Sequence, residues 1–420
     1  MSGPPPARAP VEQRRRGRAA WVVMELAARG RWVLGLLARQ RRPASRAFAV
    51  GAALLLAAVA GCSPDRPPVA ATATSGTTAR KPATTAPGGG ATSPTRPKTG
   101  GGPRQPTGAP VTLAFGGDVH FEGAIATRLA RDPATAMGPI AAMLRQADLA
   151  MVNLETAVTT RGTPAAKEFT FRAPPSVFTA LRAAGVDLAT MANNHGEDFG
   201  PVGLQDSLAA AAAARFPVVG IGRDAAQAFR AHVFTARGQR IAVIGATQVL
   251  DANLATAWSA GNGKPGLASA YQVDRLLAAV RAARQAADTV VVFLHWGREL
   301  SSCPIARQRA LAPRLVAAGA DVVVGSHAHV LAGAGFLEGA YIHYGLGNLV
   351  FSSRGGVTAR SGVLTLTVRG RAVTDARWAP AVISGGVPIP LTGAAARQAL
   401  ASLQALGGCT GLSARPAITG

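Results

Sequence analysis

The sequence predicts a layered α/β domain reached through an export leader and an extended tether. Three observations carry that reading. From Val111 onward, short and nearly continuous apolar runs alternate with Ala-rich stretches of helical period. Polar and imidazole side chains gather where the apolar runs end. Before Val111 the chain is first basic and apolar, then rich in Pro, Thr, Gly, Ala and Ser. The 420 residues have room for a leader, a tether and one large domain, and the composition places the boundaries at 1–61, 62–110 and 111–420.

The leader is read first. Arg39, Arg41, Arg42 and Arg46 precede the apolar run Ala47–Ala60. That run is too short to cross ~30 Å of hydrocarbon as a helix and fits the apolar segment of a signal peptide. It ends in Val59-Ala60-Gly61-Cys62, which resembles a bacterial lipobox. Cys62 is therefore expected to be lipid-modified and to anchor the protein on the extracytoplasmic face of the cell membrane. Residues 63–109 lack the large apolar side chains needed to offset ordering entropy, so they read as a disordered, Pro-stiffened spacer. With Cys62 taken, Cys303 and Cys409 remain, and in an oxidising compartment they form one bridge.

Net charge is +23, but residues 1–110 hold 17 of the 44 Lys and Arg and only 3 of the 21 acids. More than half of the excess thus lies outside the domain. No aromatic surface accompanies it for base stacking, so a nucleic-acid partner is excluded.

Within the domain, Val111–Phe115, Leu149–Asn153, Asp187–Met191, Arg240–Ala246, Thr289–Leu294, Asp321–Val324 and Tyr341–Tyr344 read as strands buried on both faces. Ala136–Gln146, Ser176–Ala184, Val202–Arg215, Tyr271–Ala287 and Pro304–Ala318 read as helices, two of them introduced by Pro. Gly362–Val368 and Ala372–Ile383 read as antiparallel strands closing the sheet.

Five of the seven histidines stand at strand ends: His120, His195, His295, His327 and His329. Asp118, Asn153, Glu155 and Asn194 keep them company, and in α/β sheets such ends are where sites are built. Carboxylate, imidazole and amide oxygen without thiolate suit a hard or borderline cation; Mn, Fe, Zn and Co all fit. Alternation in Asp118-Val119-His120 and His327-Ala328-His329 would put each pair on one side of an extended segment. One carboxylate shared by two ions holds them ~3.5–4 Å apart, as in two-metal hydrolases. Lys167, Arg172 and Arg298 are candidate contacts for an anionic substrate. Phe169 and Phe171 alternate and read as core. Trp296 either walls the site or packs beneath it, and Glu197 and Asp198 either orient His195 or lead into the following helix. His343 reads as a packed histidine.

The fragments FGGDVHFEG (Phe115–Gly123), VNLETAVT (Val152–Thr159), KEFTFRAPP (Lys167–Pro175), MANNHGEDFG (Met191–Gly200), FLHWGREL (Phe293–Leu300), GADVVVGSHAHVLAG (Gly319–Gly333) and YGLGNLVFSS (Tyr344–Ser353) resemble the CapA capsule and poly-γ-glutamate synthesis family, a branch of the calcineurin-like metallophosphoesterases. The resemblance implies a four-layer α/β/β/α sandwich with two divalent metal ions. It implies that Asp118 and His120 bind one ion with His329, and that Glu155 bridges. Asn194, His295 and His327 would complete the second ion, and His195, beside Asn194, would be the acid. Asn153-Leu154-Glu155 departs from the wider superfamily's G-D-x-x-D and leaves the bond cleaved open between phosphoester and amide. The expected function is hydrolysis in an anionic envelope polymer or its precursor. The competing reading is a non-catalytic member of a capsule or polyglutamate synthase complex.

Overall fold

The computed structural model describes residues 108–353 and 355–415; the leader, Cys62 and the tether lie outside the described residues. Two large sheets organise the domain, and their strands run β1 Val111–Val119, β2 Leu149–Leu154, β3 Leu188–Thr190, β4 Val218–Val219, β5 His232–Ala236, β6 Gln239–Thr247, β7 Thr289–His295, β8 Val322–Ser326, β9 Ala334–Leu337, β10 Ala340–His343, β11 Asn348–Val350, β12 Arg360–Arg369, β13 Ala372–Ser384 and β14 Val387–Pro390. The first sheet has the order β14-β13-β12-β1-β2-β3-β4, with β11 also pairing β1. The second has the order β9-β10-β8-β7-β6-β5.

The centres of both sheets are parallel and their edges antiparallel. β1, β2, β3 and β4 pair in parallel, while β12 runs against β1. Likewise β6, β7, β8 and β10 are parallel, and β5 and β9 are hairpin partners at the margins. This follows from the sequence, because parallel strands are covered on both faces and read as continuous apolar runs.

Three apolar cores define four layers. Leu113, Phe115, Met151 and Leu366 of the first sheet meet Val243, Val291, Phe293 and Val324 of the second in the central core. The outer face of the first sheet packs on helices Ala124–Arg131, Val177–Ala183 and Gly200–Ala213 through Ile125, Phe178, Leu181 and Leu204. The outer face of the second packs on Val273–Ala286 and Ala306–Ala318 through Leu276, Val280, Leu311 and Leu315. The expected α/β/β/α sandwich is thus the architecture observed.

One expected helix is broken. Ala136–Gln146 becomes one 3-10 turn, Gly138–Ile140, and a single α-turn, Ala141–Leu144, because Gly138 adopts φ 69° and Pro139 follows it. The helix Gly393–Ala405 near the C-terminus, which periodicity alone did not flag, buries no residue. Cys303 and Cys409 are joined by a disulfide with Cα atoms 5.7 Å apart.

Candidate metal centre

Register brings the polar strand ends together. Asp118 on β1 lies opposite Asn153 on β2 and Asn348 on β11, and Asn153 lies opposite Thr190 on β3. On the facing sheet His295, the last residue of β7, sits opposite Ser326, the last of β8. Gly117 makes this possible on β1, since a Cβ there would run into the Gly347 carbonyl, which accepts from the Asp118 amide at 3.0 Å.

Asp118, Glu155 and His295 are fully buried and offer ligand atoms within 4.8 Å of one another. Asp118 Oδ1 accepts from Asn153 Nδ2 at 2.8 Å, and Oδ2 accepts from the His327 amide at 3.1 Å. Asn193 in turn donates to Asn153 Oδ1 at 3.0 Å, so an amide chain fixes the acid. Glu155 has no such partner. Both its oxygens are buried and unbonded, with Nε2 of His295, His195 and His329 at 3.6, 3.8 and 3.9 Å from Oε1. Asn194 Oδ1 faces His295 Nε2 at 2.7 Å.

His327 and His329 belong to the same neighbourhood, but not through strand alternation. β8 ends at Ser326, and both histidines adopt left-handed backbone, φ 95° and 56°. Such conformations cost about 1–3 kcal/mol each for non-glycine residues and concentrate at functional sites. His329 Nδ1 donates to Asn348 Oδ1 at 2.8 Å and lies 3.3 Å from Asp118 Oδ2, which leaves Nε2 toward Glu155. His120 differs. Its Nε2 accepts from the Ser352 amide at 2.8 Å and its ring stacks on Phe351 with centroids 3.8 Å apart. In the neutral ring the proton then sits on Nδ1, which is buried without a partner, and His120 borders the two three-residue sets.

Burial and crowding set the charges of the protein groups. Desolvation, then the neighbouring Asp118, hold Glu155 well above the carboxylate range. Desolvation, then the other imidazoles, hold His295 well below its usual value, His327 near 4 and His120 near 3. His329 is the exception. Burial alone would lower it, but Glu155 and Asp118 lift it to about 10. The cluster therefore keeps one imidazolium against its buried carboxylates, a duty that a cation would take over. Orphaned Glu155 oxygens, an orphaned His327 Nδ1 and a hard-to-borderline donor set fit a divalent metal.

His195 is held differently from the ligand groups. Its Nδ1 meets Asp198 Oδ2 at 2.5 Å, and its ring stacks on Phe171 at 4.0 Å. Asp198 Oδ2 also accepts from the Phe171 amide at 2.6 Å, and Oδ1 pairs with Lys167 Nζ at 3.0 Å. Asp198 thus orients His195 and is not simply a helix-entry residue. The Lys167 side chain is 7% exposed, is bonded to the Asn194 carbonyl and lies 3.0 and 3.4 Å from carboxylate oxygens of Asp198 and Asp251. Lys167 thus anchors the segment that carries Asn194 and Asp198. Arg172 and Arg298 are exposed, and the Arg172 guanidinium lies over Phe199 at 4.8 Å. Phe171 walls the site and packs on a small apolar cluster of Phe351, Ala359 and Ile383, whereas Phe169 is 61% exposed and is not core. Trp296 is fully buried and donates to the Tyr344 carbonyl at 3.0 Å, so it packs beneath.

Sequence reasoning missed Glu299, whose carboxylate forms a second set with His327 and His329, ligand atoms again within 4.8 Å. It also missed Ser352, whose amide gave no side-chain signal.

The chain is 36% identical over 221 residues to the "Capsule biosynthesis protein CapA" of Bacillus anthracis, covering 51% of this chain and 52% of that protein. It is 32% identical over 212 residues to the "PGA biosynthesis protein CapA" of Bacillus subtilis, covering 50% and 54%. A "Probable polyglutamine synthesis accessory protein" of Mycobacterium tuberculosis matches at 32% over 210 residues, covering 48% and 55%. The chain thus spans about half the length of the curated relatives it matches. Among solved structures, a phosphatase from Mycoplasma pneumoniae aligns over 66% of this chain and 94% of its own at 16% identity and TM-score 0.43. The sulfate thiohydrolase SoxB of Thermus thermophilus aligns over 70% and 60% at 16% and 0.40. The pattern of the bacterial capsule synthesis protein PGA_cap family matches residues 112–353, a span that holds every ligand candidate from Asp118 to His329, and the chain belongs to that family.

Proposed function

We propose that the protein is a metal-dependent hydrolase, anchored through acylated Cys62 on the extracytoplasmic face of the membrane. Its substrate is a phosphoester or γ-glutamyl amide in an anionic envelope polymer or precursor of capsule or poly-γ-glutamate synthesis. The observation that carries this reading is Glu155, whose two buried oxygens lack any partner while three imidazoles converge on it. Asp118, His120 and His329 would hold one divalent cation, Asn194, His295 and His327 a second, and Glu155 would serve both. Bound cations supply Lewis acidity toward a phosphoryl or acyl oxygen and acidify water.

The remaining chemistry belongs to the chain. His195 keeps Nδ1 on Asp198; burial lowers its pKa and Asp198 pulls it back up, so the imidazolium form, with Nε2 oriented by that bond, would hand a proton to the leaving group. Lys167 fixes Asp198 from behind, and the Phe171 ring covers His195 against bulk water. Arg172, on the short strand Arg172–Ala173, and Arg298, on the loop after β7, are exposed and would receive the anionic substrate. A non-catalytic role in a synthase complex is the second reading, favoured by the "accessory" name of the mycobacterial relative. A site that only stored metal would not need the His195–Asp198–Lys167 chain.

Two variants separate the readings. Glu155→Ala lowers bound metal more than loss of any single imidazole. His195→Ala keeps the metal, while hydrolysis of bis-p-nitrophenyl phosphate or γ-glutamyl-p-nitroanilide falls by roughly 10²–10⁴-fold, the usual worth of a positioned acid. If the metal-loaded wild-type protein cleaves neither probe, or His195→Ala cleaves as well as wild type, the accessory role is the better account.

A further inference from the structure

The segment that follows His329 is also the wall of an apolar channel. Val330 and Leu331 line a 380 Å³ cavity with Trp378, Ala381 and Val382 of β13. Ser361 lines it too, and its buried hydroxyl donates to the carbonyl of Asn348, the residue that holds His329 Nδ1. A second cavity of 910 Å³ begins at Trp378 and continues past Arg377 and Ala376, bounded by Phe336 and Tyr341 of one sheet and Leu364 of the other. From Ala376 to Val382 the two cavities thus follow β13 for ~20 Å, at ~3.3 Å per residue. Their roof is the helix Gly393–Ala405. Ala395, Ala399 and Leu403, four residues apart on one face, stand over the first cavity, and Leu400 and Leu403 over the second. None of the helix residues is buried, so its apolar stripe spans the channel instead of closing on the sheet.

Shape and charge specify what fits. A long apolar channel suits a hydrocarbon chain, because every methylene removed from water strengthens binding. Val357 and Val382 line the first cavity and are 52% and 38% exposed, so it opens to solvent through an apolar rim. Arg360 stands exposed at that cavity and Arg377 at the other, and among the described residues no carboxylate lines either one. The opening therefore favours an anionic head, and a guanidinium matches phosphate in geometry as well as charge. We propose that the channel holds the aliphatic tail of an amphiphilic phosphoester, with its head at Arg360 and directed to the loop that carries His329. The inference deepens the hydrolase reading and rests on it for the fate of the head: the precursor cleaved is one carried on a lipid.

The test is photolabelling of the full-length protein, held in phosphatidylcholine nanodiscs, by dodecyl phosphate with a diazirine at the chain end. Label mapped by peptide mass spectrometry is expected in residues 376–382 and 395–406, and excess plain dodecyl phosphate should abolish it. Ala399→Trp and Leu403→Trp fill the channel from the roof, and each should reduce that labelling to background. Unchanged metal content and an intact Cys303–Cys409 bridge show that both variants are folded. Arg360→Gln should raise the dodecyl phosphate concentration needed for half-maximal labelling by about tenfold, the usual worth of a charge-assisted hydrogen bond. It should leave labelling by the matching dodecanol probe unaltered. Label scattered over the surface, label indifferent to both tryptophans, or a wild type that takes dodecanol as readily as the phosphate overturns the proposal. Labelling needs no turnover, so the two readings fail separately. Intact hydrolysis of the chromogenic probes without channel labelling sinks the channel alone, and channel labelling without any hydrolysis sinks the hydrolase reading while the tail site stands.

Discussion

His343 ends β10 with both ring nitrogens buried and unbonded, packed against Trp378 at 5.7 Å between centroids. It lines a 910 Å³ cavity with Tyr341, Arg377 and Trp378, and no carboxylate lines that cavity. Burial pushes its pKa down to about 3 from an ordinary 6.5. The folded chain therefore keeps the ring neutral at pH 5, whereas the unfolded chain protonates it. The unfolded state binds the extra proton, so stability falls as pH drops from about 6.5 toward 3. At pH 5 the loss is roughly 2 kcal/mol, taking 1.36 kcal/mol per pH unit. His343→Phe removes this contribution, and its guanidinium unfolding free energy should fall about 2 kcal/mol less than wild type between pH 7.5 and 5. Equal pH dependence in the two proteins would sink the assignment. Individual residues were legible in the sequence where chemistry leaves no choice: Asp118, Glu155, His295, His327 and His329 do converge. What stayed hidden was each residue's second partner. Nothing in Lys167 or Asp198 announces a buried pair 3.0 Å apart, and nothing in His120 announces that a backbone amide claims its nitrogen.

At the scale of elements, buried parallel strands were legible because they carry uninterrupted apolar runs, and the edges were not. β5 has an alternating, half-exposed pattern, and Gly393–Ala405 has no buried residue at all, so no periodic signal betrayed it. That helix sits above two cavities of 380 and 910 Å³ that share Trp378 and Leu403. What fastens the segment lies just beyond it. Cys409 is bridged to Cys303, and Arg309 donates to the carbonyls of Cys409 and Thr410 at 2.9 and 3.1 Å. The bridge closes a loop of 106 residues, long enough for a sizeable chain-entropy effect, typically ~2–4 kcal/mol. With three apolar cores already in place, the lower end of that range is expected. Cys409→Ser should therefore lower global stability by about 2 kcal/mol. It should also speed amide hydrogen exchange across residues 393–412 at least tenfold while leaving β1, β2, β7 and β8 unchanged. Thiol reagents should find no reactive sulfur at Cys303 or Cys409 until the protein is both denatured and reduced. Unaltered exchange in the helix would mean that packing, not the bridge, holds it.

At the scale of the whole molecule, the site exists because two sheets face each other, so that β1 and β2 deliver Asp118 and Glu155 while β7 and β8 deliver His295 and His327. Strand ends could be found one by one in the sequence, but which sheet faces which is a long-range fact that only the ordered family motifs conveyed. The leader is a separate matter, since no helix among the described residues is long and apolar enough to cross a membrane. Within residues 1–107 the sequence supplies an anchoring device, Cys62 behind Ala47–Ala60. A single acyl chain gives only marginal membrane binding, and stable attachment takes more than one lipid signal. A lipobox cysteine carrying several chains meets that requirement, whereas the basic residues at 39–46 would be removed with the leader. The mature protein should then fractionate with membranes, resist extraction by high salt and enter the detergent phase. Cys62→Ala should remain soluble after leader cleavage or be retained as an uncleaved precursor, with the domain folded in either case. Wild-type protein that washes off membranes in salt, or a Cys62→Ala variant that stays in the detergent phase with its leader removed, would exclude lipid anchoring at Cys62.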